Sequence, residues 1–166
     1  MKHIFLIGFM GCGKSTVART LSTQLGIPQI EMDEQIVKEQ GMPITEIFDK
    51  YGEAHFRDIE TDLLKRICGQ KSAVVSCGGG AVLREENIAM MKAAGRIVLL
   101  TAKPETILER VKYNNDRPVL NGHMNVEYIS ELMEKRRACY GAAADVVIDT
   151  DGKSVEQICQ EIVQES

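Results

Sequence analysis

The stretch Gly8 to Ser15, GFMGCGKS, fits the pattern G-x-x-x-x-G-K-[ST], whose chemistry is the holding of phosphate. Such a loop turns successive backbone N–H groups inward, and the helix start after it adds positive potential where phosphate oxygens sit. Gly11 and Gly13 remove side chains that block a close approach. Lys14 suits the β and γ oxygens of a nucleoside triphosphate, and the Ser15 hydroxyl suits Mg²⁺. An accidental glycine-rich turn is the alternative. The apolar run before the motif and the helical pattern after it argue against that. The motif does not say what receives the phosphate.

Candidates for the acceptor side follow along the chain. Glu31-Met32-Asp33 comes at the end of the second expected strand, and strand alternation there points Glu31 and Asp33 the same way. Asp33 then meets an acceptor hydroxyl and Glu31 assists the metal's water shell; equally, Asp33 caps a helix beginning near Glu34. In HFRDIE, Arg57 and Glu60 are three apart and adjacent on a helix face. They read as a surface ion pair, or as a cleft arginine whose fork Glu60 holds. Ser76-Cys77-Gly78-Gly79-Gly80 puts three glycines at a strand end, where backbone approaches a ligand closely. Arg110, Arg117, Arg136 and Arg137 complete the candidates, and guanidinium forks match carboxylates and phosphates. Of the last two, one faces solvent while the other faces the cleft.

These residues need a frame. The chain has 166 residues, roughly one domain's worth, and 44% of them are apolar, so it can bury a core. A net charge of -4 argues against a general grip on nucleic acid or anionic membranes. No apolar run is long enough to span a bilayer, and glycines and a lysine interrupt the N-terminal apolar run at once. Five cysteines without paired spacing read as reduced thiols of a cytoplasmic enzyme, not as disulfides or a zinc site. Cys12 and Cys77 lie in glycine-rich turns and are expected to face the cleft, where ATP would protect Cys12 from thiol labelling.

Short Val/Ile/Leu runs alternate with amphipathic stretches, the pattern of a parallel sheet with helical crossovers. Strands are expected at 3–7, 29–32, 73–76, 96–100 and 145–149. Val17, Leu21 and Leu25 form one helical stripe that Gly26 ends, and Pro104 opens another helix. Val155, Ile158, Cys159, Ile162 and Val163 mark a final amphipathic helix. Two segments stand apart from this core. Residues 34–69 read as a helical insertion broken at Gly41-Met42-Pro43 and Gly52, and 112–124 as a polar mobile loop.

In their order, GFMGCGKST, the acidic pair at 31 and 33, FRDIE, SCGGGAV, RPVL and RRACY resemble the shikimate kinase family. These are P-loop kinases related to nucleoside monophosphate kinases, and the likeness covers nearly the whole chain. The resemblance implies a three-layer α/β fold with a five-stranded parallel sheet in order 2-3-1-4-5. It makes 1–166 a single kinase domain, with 34–69 as a substrate-binding insertion and 112–124 as a lid. The implied reaction is ATP-dependent phosphorylation of the 3-hydroxyl of shikimate, in aromatic amino-acid biosynthesis.

By the same resemblance, Gly11, Cys12, Gly13, Lys14, Ser15 and Thr16 bind ATP, with Mg²⁺ at Ser15 and Glu31 reaching it through water. Arg110 lies near the adenine and Arg117 closes over the phosphates. Asp33, Arg57, Gly78, Gly79, Gly80 and Arg136 bind shikimate, the two arginines clamping its carboxylate. Lys14, Asp33 and Arg117 form the catalytic set. Glu31 stands where the family usually has aspartate, and Arg137-Ala138 where it often has proline. A monomer is expected. The competing readings are a kinase for another hydroxy acid such as gluconate, and a nucleotide-binding regulatory module without phosphotransfer.

Overall fold

All five residues of the first strand, β1 (His3–Ile7), are buried, so both of its faces are covered by other elements. Phe5 and Leu6 point to opposite faces and both are fully buried. Each contributes about 1.5–3 kcal/mol by leaving water. The computed structural model describes residues 2–9, 12–111 and 125–165.

The chain continues as α1 (Lys14–Leu25), β2 (Gln29–Glu31), α2 (Met32–Gln40), α3 (Ile44–Tyr51), α4 (Glu53–Cys68) and β3 (Val74–Ser76). After a 3-10 turn at Ala81–Leu83 come α5 (Glu85–Ala94), β4 (Gly95–Thr101) and α6 (Pro104–Val111). Then α7 (Val126–Ala143), β5 (Val146–Asp149) and α8 (Val155–Gln164) complete the described elements. The strands form one parallel sheet in the order β2-β3-β1-β4-β5. The chain therefore leaves β1 toward neighbours on both sides. A parallel sheet opens a crevice at the carboxyl ends of its strands at such a switch point.

The strand expected over 29–32 ends one residue earlier, at Glu31. Met32 is fully buried but already helical, and Asp33 and Glu34 occupy the first turn of α2, where acidic side chains suit the helix dipole. In α8, Ile158, Cys159 and Ile162 are buried as the spacing required, whereas Val163 is 44% exposed and lies off the buried stripe. The expected breaks at 41–43 and 52 fall between α2, α3 and α4. Arg66 on α4 forks onto Glu39 of α2 at 2.7 and 2.9 Å, tying two helices of this insertion together. That fork holds the Glu39 carboxyl down to about 2, so the pair stays charged at neutral pH.

Candidate active site

The phosphate side begins where β1 ends. Gly8 has φ +143°, and a Cβ there would run into the Leu100 carbonyl oxygen, so the turn out of the sheet requires glycine. Gly13 caps α1 in the left-handed region at φ +91°, with no side chain bonded to the helix's first N–H groups. Those donors and the helix dipole face a cleft of about 720 Å³, whose wall includes Gly13, Lys14, Ser15 and Thr16. Lys14 Nζ donates to Gly8 O at 2.7 Å and Phe9 O at 3.3 Å, which keeps the ammonium folded against the loop. Arg110 lines the same cleft, and its guanidinium lies 3.9 Å from where a Cβ on Gly13 would stand.

Glu31 and Asp33 line the cleft opposite. Glu31 is the N-cap residue of α2 and Asp33 lies in its first turn, so the pair is presented by a strand-to-helix junction rather than by strand alternation. The helix-cap role considered for Asp33 falls to Glu31, which caps without a side-chain hydrogen bond. The Ser15 hydroxyl and the Glu31 carboxylate make a hard oxygen donor set that fits Mg²⁺. Among the described residues no three His, Cys, Asp or Glu side chains gather into a cage.

The acceptor side is built on the glycine run after β3. Gly79 lines the cleft, while Gly78 and Gly80 are buried beside it. A Cβ on Gly78 would come within 2.7 Å of Glu60 Oε2 and 2.9 Å of Asp33 Oδ1. One on Gly80 would stand 2.5 Å from three atoms of the Arg57 guanidinium. The flanking glycines therefore admit charged side chains against the backbone, an arrangement the sequence pattern alone did not distinguish from ligand contact.

Arg57 is 8% exposed, and its Nη1 donates to Glu60 Oε1 at 3.1 Å. Its Nε donates to Glu53 Oε2 at 3.4 Å, and the guanidinium lies over the Phe56 ring. The pairing of Arg57 with Glu60 is thus buried, and the surface ion pair is excluded. Arg136, on α7, is 7% exposed and stands 5.7 Å from the Phe9 ring centroid, whereas Arg137 faces solvent. Burial pushes the Glu60 carboxyl above the usual carboxylate range, and the nearby charges of Arg57 and Arg136 oppose that shift. Buried polar atoms normally find partners. Among the few that do not within the described residues, two sit here: Glu60 Oε2 and Arg136 Nη1.

Tyr140, one turn beyond Arg136, was no site candidate in the sequence. Its hydroxyl donates to Gly79 O at 2.7 Å, fixing the peptide plane at the cleft wall. Burial pushes this phenol up to about 12, so it remains a donor across the neutral range. Tyr140→Phe should therefore raise the acceptor KM several-fold through loss of one buried hydrogen bond, with the nucleotide KM unchanged. Steady-state kinetics with each substrate varied in turn checks this. Gly80→Ala should displace the Arg57 guanidinium rather than unfold the chain. The expected signature is about a tenfold rise in acceptor KM with little change in Tm, measured by kinetics beside thermal melting.

Two expectations change. Cys12 is buried beneath the loop and its thiol donates to Phe9 O at 2.7 Å, so it does not face the cleft. Any part it takes in nucleotide binding must come from its backbone. Cys77 borders the cleft but is 2% exposed, and burial pushes its thiol far up, which leaves it unreactive. ATP protection of a labelled Cys12 is withdrawn for the same reason. Gly11, Arg117 and the segment 112–124 lie outside the described residues.

A phosphate loop at the switch point of a 2-3-1-4-5 parallel sheet, opening on a cleft lined by Glu31, Asp33 and Gly79, defines a P-loop phosphotransferase. The family model described as shikimate kinase matches residues 10–166, and the chain belongs to that family. A shikimate kinase of Thermodesulfovibrio yellowstonii is 44% identical over 165 residues, spanning 99% of this chain and 95% of the relative. The structure of a shikimate kinase from Acinetobacter baumannii in complex with shikimate superposes with a TM-score of 0.94 at 32% identity. That match covers 99% of this chain and 92% of the other. A gluconokinase from Sinorhizobium meliloti, at 22% identity and a TM-score of 0.63 over 99% of this chain and 90% of its own, shares the fold.

Proposed function

We propose that this chain transfers the γ-phosphoryl group of ATP to the 3-hydroxyl of shikimate, giving shikimate 3-phosphate and ADP in aromatic amino-acid biosynthesis. The observation that carries this reading is the pair of buried guanidiniums grouped about Glu60 beside the Gly79 wall, one with an unpartnered Nη1. That arrangement calls for a small carboxylate within reach of the phosphate loop.

Arg57 and Arg136 clamp the substrate carboxylate, Glu60 holds the Arg57 fork, and Tyr140 fixes the Gly79 backbone beside the ring. The clamp aims the 3-hydroxyl in line with the γ-phosphorus, so catalysis rests on positioning and charge neutralisation. The Asp33 carboxylate takes the proton from the attacking hydroxyl. The backbone N–H groups from Gly13 to Thr16 hold the phosphates, and Lys14 swings from the Gly8 and Phe9 carbonyls onto the β and γ oxygens. Mg²⁺, when bound by the Ser15 hydroxyl and the carboxylate side of the cleft, neutralises charge on the triphosphate.

Arg110 lies toward the base. Arg117 and the lid role of 112–124 follow from the family resemblance. In this reading 34–69 serves as the substrate-binding insertion of a single kinase domain. The protein acts as a cytoplasmic monomer. All five thiols are free. Among the described residues no helix is long and apolar enough to cross a membrane.

A coupled ADP-release assay with MgATP and shikimate, gluconate or no acceptor tests the reading. Shikimate-dependent turnover well above the blank is the expected result. Turnover with gluconate alone, or none with any acceptor, overturns it.

A further inference from the structure

Gln29 and Glu31 are two apart on β2 and project to the same side of the strand. The Gln29 amide nitrogen donates one hydrogen to Glu31 Oε1 at 2.9 Å and the other to the backbone carbonyl of Ser15 at 3.3 Å. One side chain thus bridges the carboxylate and the helix turn assigned above to magnesium. Among the described residues, Gln29 is the hydrogen-bond partner of the Glu31 carboxylate.

Glu31 also borders a second recess of about 420 Å³, which shares Ser15 and Lys38 with the cleft and adds Arg19 and Gln29. A glutamate arm has three torsions to fix, and this recess offers it room and the Arg19 guanidinium to swing toward. Carboxylates that serve a metal are commonly held by such outer hydrogen bonds. We propose that Gln29 is a positioning residue for the magnesium side of the reaction, holding Glu31 toward the cleft and away from Arg19. The inference rests on the assignment of Glu31 to magnesium.

The test measures ADP affinity by calorimetry, once with saturating magnesium and once with EDTA, and takes the ratio as the magnesium enhancement. It compares wild type, Gln29→Leu, Glu31→Gln and the double variant, each first checked by thermal melting. Gln29→Leu should reduce the enhancement by about tenfold while metal-free ADP affinity and shikimate affinity stay unchanged. In the Glu31→Gln background it should add less than about twofold, because Gln29 acts through Glu31. If Glu31→Gln abolishes the enhancement and Gln29→Leu leaves it intact, Gln29 has no positioning role and the inference fails alone. Equal loss of metal-free and metal-bound affinity in Gln29→Leu also overturns it, by showing a packing role only. If Glu31→Gln leaves the enhancement untouched, the assignment of Glu31 fails and takes the inference with it.

Discussion

Replacing Arg136 with alanine is expected to weaken shikimate binding by about thirtyfold or more while leaving MgADP affinity within about twofold. Truncating one member of a buried, hydrogen-bonded charge pair costs about 2–5 kcal/mol. At 1.4 kcal/mol per tenfold, the low end alone is more than a factor of ten in affinity. The guanidinium is 7% exposed and carries a buried Nη1 with no partner, so the anion it receives is not screened by water. Because Arg136 also packs over Phe9, the alanine variant is paired with Arg136→Lys, which keeps the charge and much of the stem. The lysine variant should melt near wild type and still lose at least tenfold in shikimate affinity. Calorimetric titration with shikimate measures both, and wild-type affinity in a folded lysine variant would remove Arg136 from the clamp.

Asp33→Asn should lower kcat by a factor of about 10²–10⁴, the usual range for loss of a positioned proton acceptor. MgADP affinity should stay near wild type, because the phosphate loop is carried by a different element. Asp33 Oδ1 lies against the same Gly78 backbone as Glu60 Oε2, so the amide occupies nearly the same space as the carboxylate. The change removes charge and basicity with little change of shape. Single-turnover kinetics separates this from a slow product release. Turnover within a few-fold of wild type would show that the proton leaves by another route.

The elements that carry the site were readable because each announces itself locally. Leu6 and Ile7 run straight into the glycine loop, Val17 and Leu21 form the buried stripe of the helix after it, and Gly26 ends it. The three-residue spacing of Arg57 and Glu60 proposed a contact between them, and one buried 3.1 Å bond joins the two side chains. Of Arg136 and Arg137, one was expected inward, and the tertiary packing of α7 against Phe9 selects the first. The strand was expected to reach Met32 because the alternation of Gln29, Ile30, Glu31 and Met32 continues past the point where the backbone turns helical.

What sequence could not supply were contacts between distant segments. Tyr140 reaches Gly79 across 61 positions. The burial of Cys12 depends on the loop folding over it. Gly78 and Gly80 face charged side chains from α2 and α4, which no local pattern encodes. Gln29 reads as one more polar strand residue until α1 packs beside it.

The central claim is that the clamp presents the 3-hydroxyl of shikimate to the γ-phosphate held by the loop. Phosphorus NMR of the complete reaction, with proton correlation, tests it most directly. The account predicts one new phosphomonoester, coupled to the proton on the shikimate carbon that bears the 3-hydroxyl and formed in step with ADP. Inorganic phosphate beside unchanged shikimate, or a phosphoester on a different hydroxyl, would contradict it.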